Sequence, residues 1–344
     1  MDSKLARELK AGEIAPVYLF YGTETFLIDE GCAEVEKQAL CGESSEWNRT
    51  VLDLEEVSIQ DLVREAETPS FFGGRRVVIG KNAWFLTAIR VKEKVEHQPE
   101  ELLRYVADPL MENVLILTVP AEKLDARKKV VKEMKKHVRE VACQPLAPKA
   151  LLAWVSARLQ QAEARVHPQT VELLIQQVGG DLRLLAMEID KLTTYVGKER
   201  TITPEIVNEL VPRTLEQDVF KLVDRVSRRK IGEALAIFYD LVDNREEPIR
   251  ILSLIIRQFR LMLQVKVLAE EGKVEREIAT VLKVHPYPVK LALQQARTYS
   301  ENRLRELLFR SIDADDAIKS GRLDKILAVE RLLLSMSERT RVES

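Results

Sequence analysis

The sequence contains no apolar run approaching the roughly 18 residues a membrane-crossing helix needs, and its start, Met1-Asp2-Ser3-Lys4-Leu5, has no apolar signal core. A cytoplasmic protein is expected. It has three cysteines, Cys32, Cys41 and Cys143, an odd number with no CxxC spacing. That argues against a disulfide framework or a zinc site and leaves reduced, partly buried thiols. It also lacks a large charge of either sign, the formal net charge being −2. Net charge is −5 over residues 1–145, −1 over 146–212 and +4 over 213–344. Only the last third leans basic, which speaks against a protein that grips nucleic acid alone and allows one that shares such a surface with partners.

What is present is an ordinary globular composition, 46% hydrophobic and 31% charged over 344 residues, long enough for two or three domains. Residues 1–145 alternate strand and helix patterns. Val17 to Tyr21, Val51 to Leu54, Val77 to Ile79 and Val114 to Val119 read as strands. Glu24 to Leu40, Ile59 to Glu67 and Glu100 to Ala107 read as helices. Runs apolar enough to be buried on both faces predict a largely parallel α/β sheet. Asp125 to Arg139 reads as a strongly basic helix, either a solvated surface or an electrostatic contact.

A strand, a glycine and a helix at the start of such a domain is where a phosphate-binding loop sits. Counted from Gly22, the second glycine, the lysine and the hydroxyl of that loop fall on Leu27, Ile28 and Asp29, and Glu24 adds a negative charge. After Val119 there is no acidic pair to hold a metal. The architecture of a nucleotide domain is expected here without the nucleotide, so no cofactor and no catalytic site are expected.

Residues 146–212 read as helical throughout, with Pro145 and Pro148 at the junction and Asp181 capping a helix that carries Arg183 on its first turn, an arginine read as structural. Residues 213–344 read as a helical bundle. Its helix from Pro248 sets Ile251, Leu254, Ile255, Leu261, Met262 and Val265 on one stripe and Arg250, Arg257 and Arg260 off it. Such a bundle is private or an oligomerisation collar; the residues leave both open.

The stretch Thr68-Pro69-Ser70-Phe71-Phe72-Gly73-Gly74-Arg75-Arg76 places two large aromatics beside a Gly-Gly break. Neighbouring side chains on a helix diverge by about 100°, so both rings are buried only if a core wraps widely around them; otherwise they are offered to another protein.

Six segments in register carry a resemblance over essentially the whole chain: Pro16 to Glu24, Phe71 to Arg76, Leu124 to Lys129, Gly180 to Arg183, His285 to Tyr287 and Asp315 to Gly321. Together they resemble the delta subunits of bacterial DNA polymerase III clamp loaders. The resemblance implies an α/β plus all-α chain: a degenerate AAA+ domain over 1–145, a small helical lid over 146–212 and a helical collar over 213–344. It implies a non-catalytic subunit of the DNA-directed DNA polymerase III holoenzyme, a nucleotidyltransferase, acting in DNA replication. Its implied partners are the beta sliding clamp, the gamma/tau ATPase subunits and delta-prime in a hetero-pentamer, and primer-template DNA. It implies that Ser70, Phe71 and Phe72 form the clamp contact, with Phe71 where relatives often carry Leu, and it marks Lys319, Arg322 and Lys325 as candidate DNA contacts. Two readings from other classes are an active ATPase, which lacks its lysine and hydroxyl, and a stand-alone helical DNA-binding protein with a steep salt dependence.

Overall fold

The structure, a computed structural model, describes residues 3–40, 46–70, 73–91, 94–197 and 201–337. The chain divides into two compact units, 1–145 and 146–344.

The first unit runs α1 (Ser3–Lys10), β1 (Val17–Tyr21), α2 (Thr25–Ala39), β2 (Arg49–Asp53), α3 (Ile59–Glu67), β3 (Arg76–Lys81), α4 (Pro99–Ala107), β4 (Asn113–Val119), α5 (Lys129–Met134) and β5 (Arg139–Ala142). All five strands are parallel, in the order β2-β3-β4-β1-β5. β4 is buried at every residue, because a central parallel strand has both faces covered; its Leu115 and Leu117 share a core with Val17, Leu19, Leu62, Val78 and Leu102. β2 is an edge strand whose burial falls away on alternate residues. This is the mixed α/β, AAA+-like sheet that the resemblance implies.

The basic helix expected over Asp125 to Arg139 is corrected. Only Lys129–Met134 is helical, and Arg139–Ala142 is a fifth strand paired with β1. Strand pairing prevails because Val141 is buried against the sheet while Arg139 donates from Nε to Glu8 at 2.7 Å, which settles the strand's charge. α1, which supplies Glu8, is a short helix that the strand and helix patterns of the sequence did not mark.

The second unit begins with α6 (Pro148–Gln161), β6 (Arg165–Val166), α7 (Pro168–Val178), α8 (Leu182–Val196), β7 (Thr201–Ile202) and α9 (Pro204–Leu210). The expectation that this segment is helical throughout is therefore corrected by the short parallel pair β6 and β7. There follow α10 (Leu215–Ser227), α11 (Ile231–Asp243), α12 (Pro248–Glu270), α13 (Glu275–Leu282), α14 (Pro286–Ala296), α15 (Glu301–Lys319) and α16 (Lys325–Ser337). Helix starts follow sequence chemistry. α4, α6, α7, α9, α12 and α14 open on proline, whose missing N–H would be unsatisfied in a first turn anyway. Asp181, Thr203, Thr214 and Ser300 accept a first-turn amide. α12 lies at the centre of the bundle core, with Ile251, Ile255, Phe259, Met262 and Val265 buried among Leu222, Phe238, Leu304 and Leu333. Arg250, Arg257 and Arg260 are exposed on its opposite side. No helix of the described residues is long and apolar enough to cross a membrane.

Candidate functional site

The turn between β1 and α2 is short: Gly22, Thr23 and Glu24 alone separate strand from helix. Gly22 sits at φ +150°, and a Cβ there would lie 1.8 Å from the carbonyl oxygen of Cys143. The chain leaving β5 is laid across this turn, Cys143 donating its amide to Tyr21 O at 2.7 Å and accepting the Glu24 amide at 3.0 Å. An amide that a phosphate cradle would use is already satisfied, and Leu27 and Ile28 are buried against the domain.

Beside α2 lies a cavity of about 310 Å³ lined in part by Asp29, Cys32, Glu36, Arg49, Lys81 and Thr118. Its charges compensate, Arg49 Nε lying 2.7 Å from Glu36. Burial pushes the Cys32 thiol up to about 12, so it is not a nucleophile at neutral pH.

The tip stands at the opposite edge of the sheet, where β3 begins. Two asparagines position it. Asn113, fully buried at the start of β4, donates from Nδ2 to the carbonyls of Ala66 and Thr68 at 2.8 Å each, satisfying backbone groups at the C-terminal end of α3. Asn48, 8% exposed, spans the two sides of the Phe-Phe turn: its Oδ1 accepts from the Ser70 hydroxyl at 2.6 Å and its Nδ2 donates to Gly73 O at 3.2 Å. The Ser70 hydroxyl is also 2.8 Å from Gly73 O. Gly73 and Gly74 have φ of +78° and +76°, and a Cβ on either would meet nothing within 4 Å, so glycine is needed there for conformation and not for space. Behind the tip Arg76 pairs with Glu65 and donates to Thr50 Oγ1 at 2.9 Å. Trp47, beside Asn48, is 78% exposed. Phe71 and Phe72 lie outside the described residues; Ser70 is half-buried at their edge. Sequence reading missed Asn48 and Asn113, since a lone asparagine whose partners are more than 20 positions away leaves no local pattern.

Lys319, Arg322 and Lys325, at the end of α15 and the start of α16, are each paired with a carboxylate. Lys319 Nζ is 2.6 Å from Asp315, Arg322 meets Asp316, and Lys325 Nζ is 3.1 Å from Glu247.

Two of the segments that carry the resemblance meet within the second unit. A Cβ on Gly180 would lie 2.9 Å from Nδ1 of His285, and the Tyr287 hydroxyl donates to Ile175 O at 3.4 Å. Burial holds His285 below its ordinary pKa, while nearby Asp181 opposes that shift. Arg183 is exposed on the first turn of α8.

Comparison with known proteins gives one consistent result. The family described as DNA polymerase III, delta subunit matches residues 18–144, and that described as DNA polymerase III delta subunit, C-terminal domain matches residues 216–336. The chain is 40% identical over 333 residues to DNA polymerase III subunit delta of Bacillus subtilis, covering 97% of this chain and 96% of that one. It is 23% identical over 261 residues to a probable DNA polymerase III subunit delta of Aquifex aeolicus, covering 75% and 72%. The solved structure of the Bacillus subtilis DNA clamp loader delta protein superposes with a TM-score of 0.81 at 40% identity, covering 98% of this chain and 100% of that one.

Proposed function

From the premise that the chain belongs to the DNA polymerase III delta subunit family, and so is a clamp-loader subunit, we propose that it binds the beta sliding clamp through Ser70, Phe71 and Phe72 and helps to open it for loading on primed DNA, without hydrolysing ATP. The observation that carries this reading is the Asn48 bridge: a buried amide joins Ser70 to Gly73, holding together the two ends of a turn that contains only the phenylalanines. Such anchoring lowers the ordering cost of presenting apolar anchors to a partner. Aromatic anchors that fill an apolar pocket each contribute about 2 kcal/mol or more on truncation. A partner that favours an opened clamp over a closed one shifts that equilibrium by the difference of the two affinities and no further. The subunit then needs no chemistry of its own.

The Cys143 backbone laid over Gly22, together with Leu27, Ile28 and Asp29 in place of the loop's working residues, supports a non-hydrolysing role. The gamma/tau ATPases and delta-prime are the proposed neighbours, with 146–212 as lid and 213–344 as collar, and the complex works in the cytoplasm at the replisome.

Capture of the full chain on immobilised sliding clamp tests the tip. Phe71→Ala with Phe72→Ala is expected to abolish capture while leaving the melting temperature within a few degrees of wild type. Capture equal to wild type would refute the assignment.

A further inference from the structure

The three basic residues marked by the resemblance are each neutralised by a carboxylate, whereas α12 and α14 present basic ridges that are not. Ser253, Arg257, Arg260 and Gln264 are exposed at helical spacing along α12, and half-buried Lys290 with exposed Gln294 and Arg297 follow the same spacing along and just past α14. The two helices pack on one another, Gln258 Nε2 donating to Gln295 Oε1 at 2.7 Å. α14 contains no acidic residue, and the only one in α12 is Glu270 at its end, paired with Lys266. Arg250 pairs with Glu246, but among the described residues Arg257, Arg260, Lys290 and Arg297 have no carboxylate within 4.0 Å.

We propose that this surface, centred on Arg257 and Arg260, binds the phosphate backbone of DNA without reading its sequence. Arginine, serine and glutamine are the donors that phosphate oxygens take. The contrast within the bundle favours a polyanion over a protein partner. A protein interface needs apolar or aromatic anchors, and the bundle's exposed large hydrophobics, Phe309, Leu327 and Leu334 among them, lie on α11, α13, α15 and α16 or beside them, with none on α12 or α14. From Ser253 to Gln264 the ridge runs about 16 Å at the helical rise, matching about five phosphates of one strand of duplex. The proposal rests on the chain working beside DNA and is independent of the clamp contact.

The test titrates fluorescein-labelled primed-template DNA with the full chain at several salt concentrations. Arg257→Gln with Arg260→Gln is expected to weaken binding roughly tenfold or more at about 0.1 M salt and to lower the slope of log K against log salt by about one per residue. Arg257→Lys with Arg260→Lys keeps the slope, and Lys319→Gln, Arg322→Gln and Lys325→Gln together change it less. The Phe71→Ala, Phe72→Ala variant keeps its DNA affinity, so failure of the clamp reading shows separately. Absence of salt-dependent binding by the wild-type chain, an unchanged affinity and slope in the double glutamine variant, or competition by poly-glutamate as effective as by DNA would each overturn the proposal.

Discussion

Two turns of the same α/β domain have gone opposite ways. At the edge where the strands end, the β1–α2 turn is covered by the backbone of Cys143, so closely that a Cβ on its glycine would come within 1.8 Å of a carbonyl oxygen. At the edge where they begin, Gly73 and Gly74 ahead of β3 stand in open space, and a buried asparagine bonds both Ser70 and Gly73. Open α/β sheets ordinarily take ligands outside the carboxyl ends of their strands. Here the β1–α2 turn at that end is covered by backbone, leaving a cavity of about 310 Å³ beside α2, and the proposed clamp contact is at the other end. On the proposed reading, one scaffold loses a small-molecule site and keeps a protein contact because the two are built on opposite edges of the sheet.

Substitutions that treat the two turns alike should give unlike results. Gly22→Ala forces a side chain into the Cys143 carbonyl, and a loss of about 3 kcal/mol or more is expected in urea unfolding of the full chain; Gly74→Ala at the open turn should cost about 1 kcal/mol. Equal costs would mean that the first turn is not closed. Asn113→Ala removes both bonds to the end of α3, stranding the Thr68 carbonyl and leaving Ala66 O only the Tyr105 hydroxyl at 3.4 Å, and should cost about 2 kcal/mol by the same assay. Asn48→Ala removes the amide bridge and leaves only the direct Ser70 hydroxyl contact to Gly73 O, and should cost about 1 kcal/mol, with clamp affinity reduced about tenfold, the equivalent of 1.4 kcal/mol; unchanged affinity would show that the bridge does not position the tip. The smallest effect is at the Gly180 contact. His285 is held below its ordinary 6.5, so the unfolded chain takes up its proton first and stability falls as pH drops below about 6.5. The His285 Nδ1 caps α14 by accepting the Tyr287 amide at 3.1 Å; His285→Asn retains a capping side chain and should flatten that slope in melting curves between about pH 5 and 7.

The buried strands were legible because parallel sheets demand apolar runs, and β4, apolar at five of seven residues and closed by Thr118 and Val119, reads as nothing else. β5 was not, since four residues with two charges at a sheet edge look like the end of the basic helix before them. Proline and aspartate marked helix starts because their chemistry is local. Asn48, Asn113 and Cys143 act through partners far along the chain, so the closure of one turn and the bracing of the other became visible only in three dimensions. The failed phosphate loop was legible as an absence of three side chains; the backbone that takes its place was not.

That the proposed tip, and not the covered β1–α2 turn, carries the function is tested most directly by the dissociation constant of the full chain for sliding clamp, measured with and without Mg-ATP for wild type and for the Phe71→Ala, Phe72→Ala variant. The prediction is an affinity indifferent to ATP and weakened at least about a hundredfold by the double substitution. An affinity that requires ATP, or that survives the loss of both rings, would contradict it.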